Sequence, residues 1–227
     1  MPSHYGPKIT TNKNMICRLD AADKNSYIGT GTTWTDLTGN GHSATLQSQG
    51  SFSSTLAQGT MSSGAGSITI HGNSVFTAAK SFEVWFRINN FPANSTFDSI
   101  WQHANNWNHQ TGKGMHLIYG NLTWAWGQSW VGCCQIAISS LSTNTWYHVI
   151  GTSDGTTGTN KCKFYLNGDL KDTGTAANVP SDNPNIQIGN GNGGTIDGVI
   201  ACWSAYSDEL SDKDVYNNYI ALKSRFA

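Results

Sequence analysis

The sequence predicts an all-β fold: two antiparallel sheets packed as a sandwich, with a short C-terminal helix. Many short segments alternate apolar and polar residues, which is the period of a strand with one buried face. Turns rich in Gly and Asn separate these segments, and the chain contains 25 Gly. Only the end of the chain has the spacing of an amphipathic helix. At 227 residues, the chain has a length typical of one β-sandwich domain.

The prediction is organised around a hairpin over residues 146–168, W-Y-H-V-I-G-T-S-D-G-T-T-G-T-N-K-C-K-F-Y-L-N-G. Its first arm, 146–152, is rich in aromatic and β-branched residues, which suit a pleated surface. The second arm, 161–166, alternates polar and apolar residues, and Asn167-Gly168 then predicts a tight turn. Because the first arm has apolar side chains on both faces, it is predicted to be a central strand.

Four strands are predicted in the first 88 residues. The clearest alternation places Phe82, Val84, Phe86 and Ile88 towards the core, and Glu83 and its neighbours on the opposite face. The four segments are Asn14–Leu19, His42–Leu46, Ser67–His71 and Phe82–Ile88.

A further strand contains Leu122, Trp124 and Trp126, whose alternation predicts that the two Trp side chains lie in the core.

After the hairpin, residues 169–185 are predicted to be a loop. Ile186–Ile188 and Val199–Trp203 are predicted strands. The glycine run 189–194 between them is predicted to be a tight hairpin, since no helix follows it to form a phosphate site. Ser211 is predicted to cap the helix, whose buried stripe is Val215, Tyr219 and Leu222.

Several motifs occur in the order of one known family. These are S-F-E-V-W at 81–85, the W-Y-H-V, D-G and Y-L-N-G segments of the hairpin, I-Q-I-G at 186–189 and D-G-V-I at 197–200. In this order they resemble the laminin-G-like, concanavalin A-like lectin/glucanase jelly rolls. Gly6-Pro7-Lys8-Ile9 together with W-T-D-L-T-G-N-G at 34–41 is similar to the form found in tailed-phage virion proteins.

The resemblance implies a concanavalin A-like jelly roll over residues 14–227. Residues 1–13 precede it as a polar arm with Pro2 and Pro7, which we expect to gain order by docking on a partner. Net charge is −1 and 12% of residues are charged, which argues against a nucleic-acid partner. The sequence has no apolar run long enough for membrane insertion and no signal peptide. We therefore expect synthesis in the host cytoplasm and a final location on the virion surface.

The five cysteines, Cys17, Cys133, Cys134, Cys162 and Cys202, are an odd number with irregular spacing. This pattern is a poor disulfide framework, so we expect free thiols. Cys17 is predicted to share a buried strand face with Met15 and Leu19, and Cys162 with its apolar neighbours.

Residues 101–113, W-Q-H-A-N-N-W-N-H-Q-T-G-K, lack any period and are rich in Asn, Gln and His. We interpret them as a loop that presents aromatic rings to a glycan or a partner protein. The candidate binding residues are Trp101, His103, Trp107, His109 and Trp130. The alternative is that Trp101 and Trp107 fold back over one sheet as packing.

The sequence shows no enzyme site. Glycoside hydrolysis usually requires two carboxylates that flank the bond. The chain contains two Glu, Glu83 and Glu209, and neither lies in the E-x-D-x-x-E strand pattern of the related glucanases. Many laminin-G-like domains bind calcium, but Asp36, Asp154 and Asp197 form no oxygen-rich loop, so neither a metal ligand nor a cofactor is assigned.

These observations predict a non-enzymatic surface protein of a tailed-phage virion, as a capsid decoration or a tail or fibre module, able to bind host-surface glycans. The expected partners are other virion proteins, further copies of the chain in a multicopy assembly, and a host glycan. The alternatives are a carbohydrate-binding adhesin not tied to a virion, and a glucan hydrolase.

Overall fold

The structure, a computed structural model, describes residues 9, 14–47, 51–53, 60–62, 68–72, 74–93, 96–103, 112–127, 132–181, 185–191 and 194–227. The arm predicted for residues 1–13 lies outside the described residues apart from Ile9.

The described residues form sixteen strands, two α-helices and one 3₁₀ turn. The strands are β1 (Met15–Asp20), β2 (Thr33–Trp34), β3 (Ala44–Leu46), β4 (Ser51–Ser53), β5 (Thr60–Ser62), β6 (Ile68–Ile70), β7 (Ser81–Ile88), β8 (Phe97–His103), β9 (Lys113–Ile118), β10 (Asn121–Trp126), β11 (Cys134–Ala137), β12 (Trp146–Ser153), β13 (Gly158–Leu166), β14 (Asp169–Ala176), β15 (Ile186–Ile188) and β16 (Gly198–Tyr206). The helices are α1 (Ser74–Ala78) and α2 (Asp212–Lys223), and the 3₁₀ turn is Ile138–Ser140.

The strands form two antiparallel sheets. Sheet A has the order β14-β13-β12-β7-β16-β5-β4, and β1 also pairs with β16. Sheet B has the order β11-β10-β9-β8-β15-β6-β3-β2. The predicted sandwich of two antiparallel sheets with a C-terminal helix is confirmed.

The hairpin β12–β13 lies inside sheet A, because β7 pairs with the other side of β12. Val149 faces the space between the sheets, whereas Ile150 packs with Tyr165 on the outer face, beneath α2. Both faces of β12 are therefore buried, which explains why its sequence is apolar on both sides and confirms the prediction of a central strand.

Aromatic rings fill the core between the sheets. Phe82 of sheet A stacks on Trp101 of sheet B at 4.5 Å between ring centroids. The rings of Trp124 and Trp203 lie 6.0 and 5.9 Å from the Phe82 ring. Trp124 and Trp126 are fully buried, as predicted. Packing of this density fixes the distance between the sheets, and truncating one such ring typically costs about 3–5 kcal/mol.

Lys113 is a fully buried cation within this core. Its Nζ donates hydrogen bonds to the carbonyl oxygens of Phe76, Thr77 and Ala79 at 2.9, 2.7 and 2.6 Å. It also lies 4.4 Å from the centre of the Trp126 ring. Burial lowers the pKa of Lys113 well below its usual value. The three carbonyls match the three N–H bonds of an ammonium group, so Lys113 fixes the end of α1 to sheet B.

Helix α2 covers the outer face of sheet A. Ser211 accepts a hydrogen bond from the backbone N–H of Asp214, whose carboxylate accepts one from Ser211, so the predicted cap is a capping box. Val215 is buried, and Tyr219 and Leu222 pack as half-buried residues against the sheet.

Two local predictions are wrong. Residues 169–176, predicted as loop, form strand β14, whose mostly exposed residues at the edge of sheet A give no apolar alternation. Met15 does not share a face with Cys17, because a bulge between them turns Met15 towards the apolar cluster beneath α2. Cys17 and Leu19 lie in the core, as predicted.

Neither helix in the described part of the chain is long and apolar enough to cross a membrane.

Candidate functional site

The outer face of sheet B carries a row of neutral polar side chains. Direct cross-strand pairs connect Thr33 to Thr45, Thr45 to Thr69, Thr69 to Gln187, and Gln187 to Gln102. Each of these residues follows or precedes an apolar residue that faces the core, as in A-T-L, I-T-I and I-Q-I. Thr33 and Thr45 are exposed, Gln187 is half-buried, and Thr69 and Gln102 are buried. We call these five residues the polar row.

A second set of polar side chains continues the face towards the other edge of sheet B. Ser99 pairs with His116, His116 with Thr123, and Thr123 with Gln135. The His116 Nδ1 atom lies 3.2 Å from the Ser99 hydroxyl. The two sets are joined because Ser99 Oγ donates to Gln102 Oε1 at 3.4 Å. Gln102 Nε2 in turn donates to Gln187 Oε1 at 2.6 Å. Hydrogen bonds thus connect imidazole, hydroxyl and amide groups at the centre of the face, from His116 through Ser99 and Gln102 to Gln187.

The loop after β15 packs onto the centre of this face. Its backbone lies so close to the sheet that position 191 has room only for glycine. A Cβ atom at Gly191 would lie 2.4 Å from both Gln102 Oε1 and Ser99 Oγ. Asn190 and Thr195 form an isolated antiparallel bridge, so the chain turns tightly here. The predicted hairpin between the flanking strands is wrong, because β15 lies in sheet B and β16 in sheet A. The loop leaves the Thr33–Thr45 side of the polar row as its exposed part.

The outer face of sheet A is different, because charged groups lie buried beneath α2. Glu83 Oε1 lies 2.8 Å from His148 Nε2, and Oε2 accepts hydrogen bonds from Tyr206 at 2.6 Å and Asn218 at 2.9 Å. Burial on its own would raise the pKa of Glu83, but the hydrogen bond and charge of His148, together with the Tyr206 bond, lower it below 4.5. Burial and the Glu83 charge raise the pKa of Tyr206 well above its usual value. Glu83 and His148 therefore belong to the hydrogen-bonded network that holds α2 on sheet A.

Asp36 is saturated by donors from the protein itself. Its carboxylate accepts hydrogen bonds from the backbone N–H groups of Arg18, Thr38 and His42 at 3.0, 3.0 and 3.2 Å, and from the Thr38 hydroxyl. The W-T-D-L-T-G-N-G loop is therefore organised by a buried carboxylate that ties it to β1.

Asp154 and Asp197, the other two carboxylates considered as calcium ligands, also accept hydrogen bonds from protein side chains. Asp154 accepts a hydrogen bond from Lys161 at 2.7 Å, and Asp197 accepts from the amides of Asn89 and Asn90 at 3.1 and 2.6 Å. Among the described residues, no group of three or more His, Cys, Asp or Glu is arranged to hold a metal ion.

The structure places two of the predicted binding residues inside the protein. Trp101 and His103 belong to β8 and are fully buried, Trp101 against Phe82 and His103 beside Phe76. Their prediction as exposed loop residues is wrong. Trp101 does serve in packing, but as a residue of β8 between the sheets rather than of a loop folded over one sheet. Trp107, His109 and Trp130 lie outside the described residues.

The sequence reasoning missed the polar row. Its signal was present as single Thr or Gln residues between apolar residues, but β3, β6 and β15 are only three residues long. Such short segments do not establish a period.

Comparison with known families agrees with this architecture. Residues 62–216, more than half of the chain, match the family profile described as the concanavalin A-like lectin/glucanases superfamily, of the laminin-G type. The chain belongs to this superfamily. A comparison with curated protein sequences finds no match.

Solved structures share the fold at low sequence identity. A sialidase of Trypanosoma rangeli in complex with sialic acid matches with a TM-score of 0.66 and 11% identity, over 99% of this chain and 35% of the sialidase chain. The binding domain of botulinum neurotoxin serotype D matches with 0.66 and 20%, over 92% of this chain and 52% of that one.

Domain 4 of an extracellular arabinanase of Geobacillus stearothermophilus, in complex with arabinotriose, matches with a TM-score of 0.66 and 17% identity, over 91% of this chain and 98% of that domain. The chain therefore spans about a third of the sialidase, half of the toxin domain and nearly all of the arabinanase domain.

Proposed function

We propose that this protein is a non-enzymatic carbohydrate-binding module that holds a glycan against the outer face of sheet B. The observation that carries the proposal is the polar row, in which Thr hydroxyl and Gln amide groups from five neighbouring strands lie side by side. Hydroxyls and amides both donate and accept hydrogen bonds, as sugar hydroxyl groups do.

The absence of charge in the polar row favours a neutral glycan. Its members are Thr and Gln, and the connected second set adds Ser, His, Thr and Gln. A carboxylated sugar would need a cation to offset its desolvation, whereas a neutral sugar needs only paired hydrogen bonds. The similarity to an arabinanase domain solved with arabinotriose supports a neutral oligosaccharide as the ligand class.

The positions of the two Glu support a binding role without catalysis. Glu83 is buried under α2 on the other sheet, and Glu209 pairs with Lys163 at 3.1 Å. Neither carboxylate lies on the polar row, so the row itself lacks the acid and the base that glycoside hydrolysis requires.

Oligosaccharide titration of matched variants tests the proposal. We expect Thr45→Ala and Gln187→Ala each to weaken binding about five- to tenfold, as expected for one lost hydrogen bond. Thr173→Ala is the matched control, because Thr173 is an exposed Thr on β14 of the other sheet. The ligands are neutral oligosaccharides, including arabinotriose, and a sialylated oligosaccharide as the charged comparison.

Equal affinities for all three variants and the parent would show that the polar row does not bind the glycan. Binding of only the sialylated oligosaccharide would contradict the neutral ligand class. Release of reducing ends from any of the glycans would contradict the non-enzymatic role.

We further propose that the module is displayed on the surface of a tailed-phage virion, in several copies. The support is the similarity of residues 6–9 and 34–41 to such proteins, and the ordered Asp36 loop shows that the second segment has a defined structural role. Quantitative mass spectrometry of purified particles should find the chain at a fixed copy number. Its absence from particles would leave the alternative of an adhesin not tied to a virion.

A further inference from the structure

Three of the five cysteines meet at one edge of the sandwich, where the two sheets approach each other. Cys133 and Cys134 lie at the start of β11 in sheet B, and Cys162 lies on β13 in sheet A. The Cys133 thiol donates to the carbonyl oxygen of Trp124 at 3.1 Å, and the Cys134 and Cys162 thiols lie near enough to affect its pKa. Sulfur atoms from two different sheets are therefore neighbours.

Gly174 allows this close approach. It is the direct cross-strand partner of Cys162 in the β13–β14 pair. A Cβ atom at Gly174 would lie 1.6 Å from the Cys133 carbonyl oxygen and 3.1 Å from Cys134 Sγ. The backbone of residues 133–134 thus occupies the space where a side chain at 174 would be. Since paired residues have Cβ atoms roughly 5 Å apart, Cys162 lies beside the backbone of residues 133–134.

We propose that Cys133 and Cys162 form a thiol modification site, at which a small disulfide oxidant such as glutathione disulfide links sheet A to sheet B. The Cys133 thiolate attacks one sulfur of the oxidant, forming a mixed disulfide and releasing one glutathione thiolate. The Cys162 thiolate then attacks the Cys133 sulfur, forming the protein disulfide and releasing the second glutathione. The two protons lost from the cysteines end on the two glutathione thiols.

Exposure determines which thiol reacts first. Cys133 is partly exposed, whereas Cys134 and Cys162 are buried. Burial, followed by the neighbouring thiols, raises the pKa of Cys133 well above its usual value. Because the thiolate is the nucleophile, the reaction is slow at neutral pH and accelerates as the pH rises.

The disulfide would close a segment of about 30 residues that includes all of β12, so it constrains the unfolded chain. We expect an increase in Tm of roughly 5–10 °C on oxidation, reversed by a reducing agent.

The experiment treats the folded, reduced protein with glutathione disulfide at mildly alkaline pH, followed by peptide mapping without reduction. The expected product is a peptide pair joined through Cys133 and Cys162, with the mass of two hydrogen atoms lost. Cys134→Ser and Cys202→Ser should form it as the parent does, and Cys133→Ser should not. Cys202 serves as the control because it lies beneath the C-terminal residues, in a separate cluster.

Stable glutathione adducts alone, a disulfide of Cys134 with either Cys133 or Cys162, or no reaction in the folded protein would each overturn the proposal. The map of the parent protein decides the matter even where a Cys133 variant fails to fold, because the linkage is read directly from the peptides.

Discussion

The two outer faces of this sandwich both carry polar side chains, but these side chains differ in charge and in how they are covered. On sheet A the polar groups are ionisable, buried and covered by α2, with Glu83 bound to His148, Tyr206 and Asn218. On sheet B they are neutral, and Thr33 and Thr45 are open to solvent, whereas Thr69, Gln102 and most of the second set are buried. A buried carboxylate needs a complete set of partners, so the first face is committed to stability. Neutral hydroxyls and amides tolerate both water and a ligand, so the second face can bind.

The largest difference between the faces should be seen with Glu83→Gln. Removing the charge leaves His148 and Tyr206 without the carboxylate for which they are arranged, so we expect a loss of about 3–5 kcal/mol in the free energy of unfolding. Glu209→Gln is the control. Its ion pair with Lys163 is about one-third exposed, and we expect a change of about 1 kcal/mol or less. Urea unfolding measures the free energy of unfolding of both variants. Equal losses would show that the buried Glu83 network contributes no more to stability than the exposed ion pair.

Phe226→Ala should give the next largest effect on stability, because Phe226 packs on the outer face of sheet A just after α2. Its ring stacks on Trp85 at 4.2 Å and meets Trp146 at 4.9 Å. We expect a loss of about 3 kcal/mol, with a changed near-UV circular dichroism signal from Trp85. Tyr216→Ala is the matched control on the exposed side of α2, where we expect a change within about 0.5 kcal/mol. A stable Phe226→Ala protein with an unchanged near-UV signal would show that α2 does not depend on this contact.

The pH dependence of stability should come from the covered face. The pKa of Glu83 is lower in the folded protein than its ordinary value of 4.5. Its contribution is therefore complete above that ordinary value and is lost as the pH falls towards the lower, folded value. In this window we expect the parent to lose up to about 1.4 kcal/mol per pH unit more than Glu83→Gln. Parallel curves for the two proteins below pH 4.5 would show that the pKa of Glu83 is not lowered in the folded state.

The smallest effect on stability should come from the open face. Thr45 is exposed on a three-residue strand, so we expect Thr45→Ala to change the free energy of unfolding by about 0.5 kcal/mol or less while weakening glycan binding. Measuring stability and affinity on the same preparation separates the two roles. A Thr45→Ala protein that unfolds like the Glu83 variant would remove the distinction between the two faces.

Sequence patterns predicted the fold where burial is regular. The hairpin β12–β13, the alternation of β7 and the cap of α2 all lie where one or both faces of an element are packed, so that the residue pattern follows the geometry. Strand β14 was missed because it is an edge strand with mostly exposed residues. Its sequence, D-L-K-D-T-G-T-A, therefore has no alternation of apolar and polar residues.

The error at Trp101 has a geometric cause. A bulge between Ser99 and Trp101 shifts the register of β8, so Ile100 and Trp101 both lie in the core although they are neighbours in sequence. The bulge breaks the two-residue period, which makes a buried strand resemble an irregular loop. The polar row was not predicted because it is formed across five strands, and only the register of the sheet brings its residues together.

The pairing of the first strand with the last has a consequence for how the protein is made. Strand β16 lies between β7 and β1, with Cys17 opposite Ala205, so it joins residues from almost the whole length of the chain. During synthesis, β1 and one edge of β7 have no partner in sheet A until β16 has left the ribosome. Long-range pairing of this kind folds slowly, on a scale of milliseconds to seconds. Unpaired edges are also where nascent chains aggregate, so factors that shield strand edges should act on this protein before its last strand is complete.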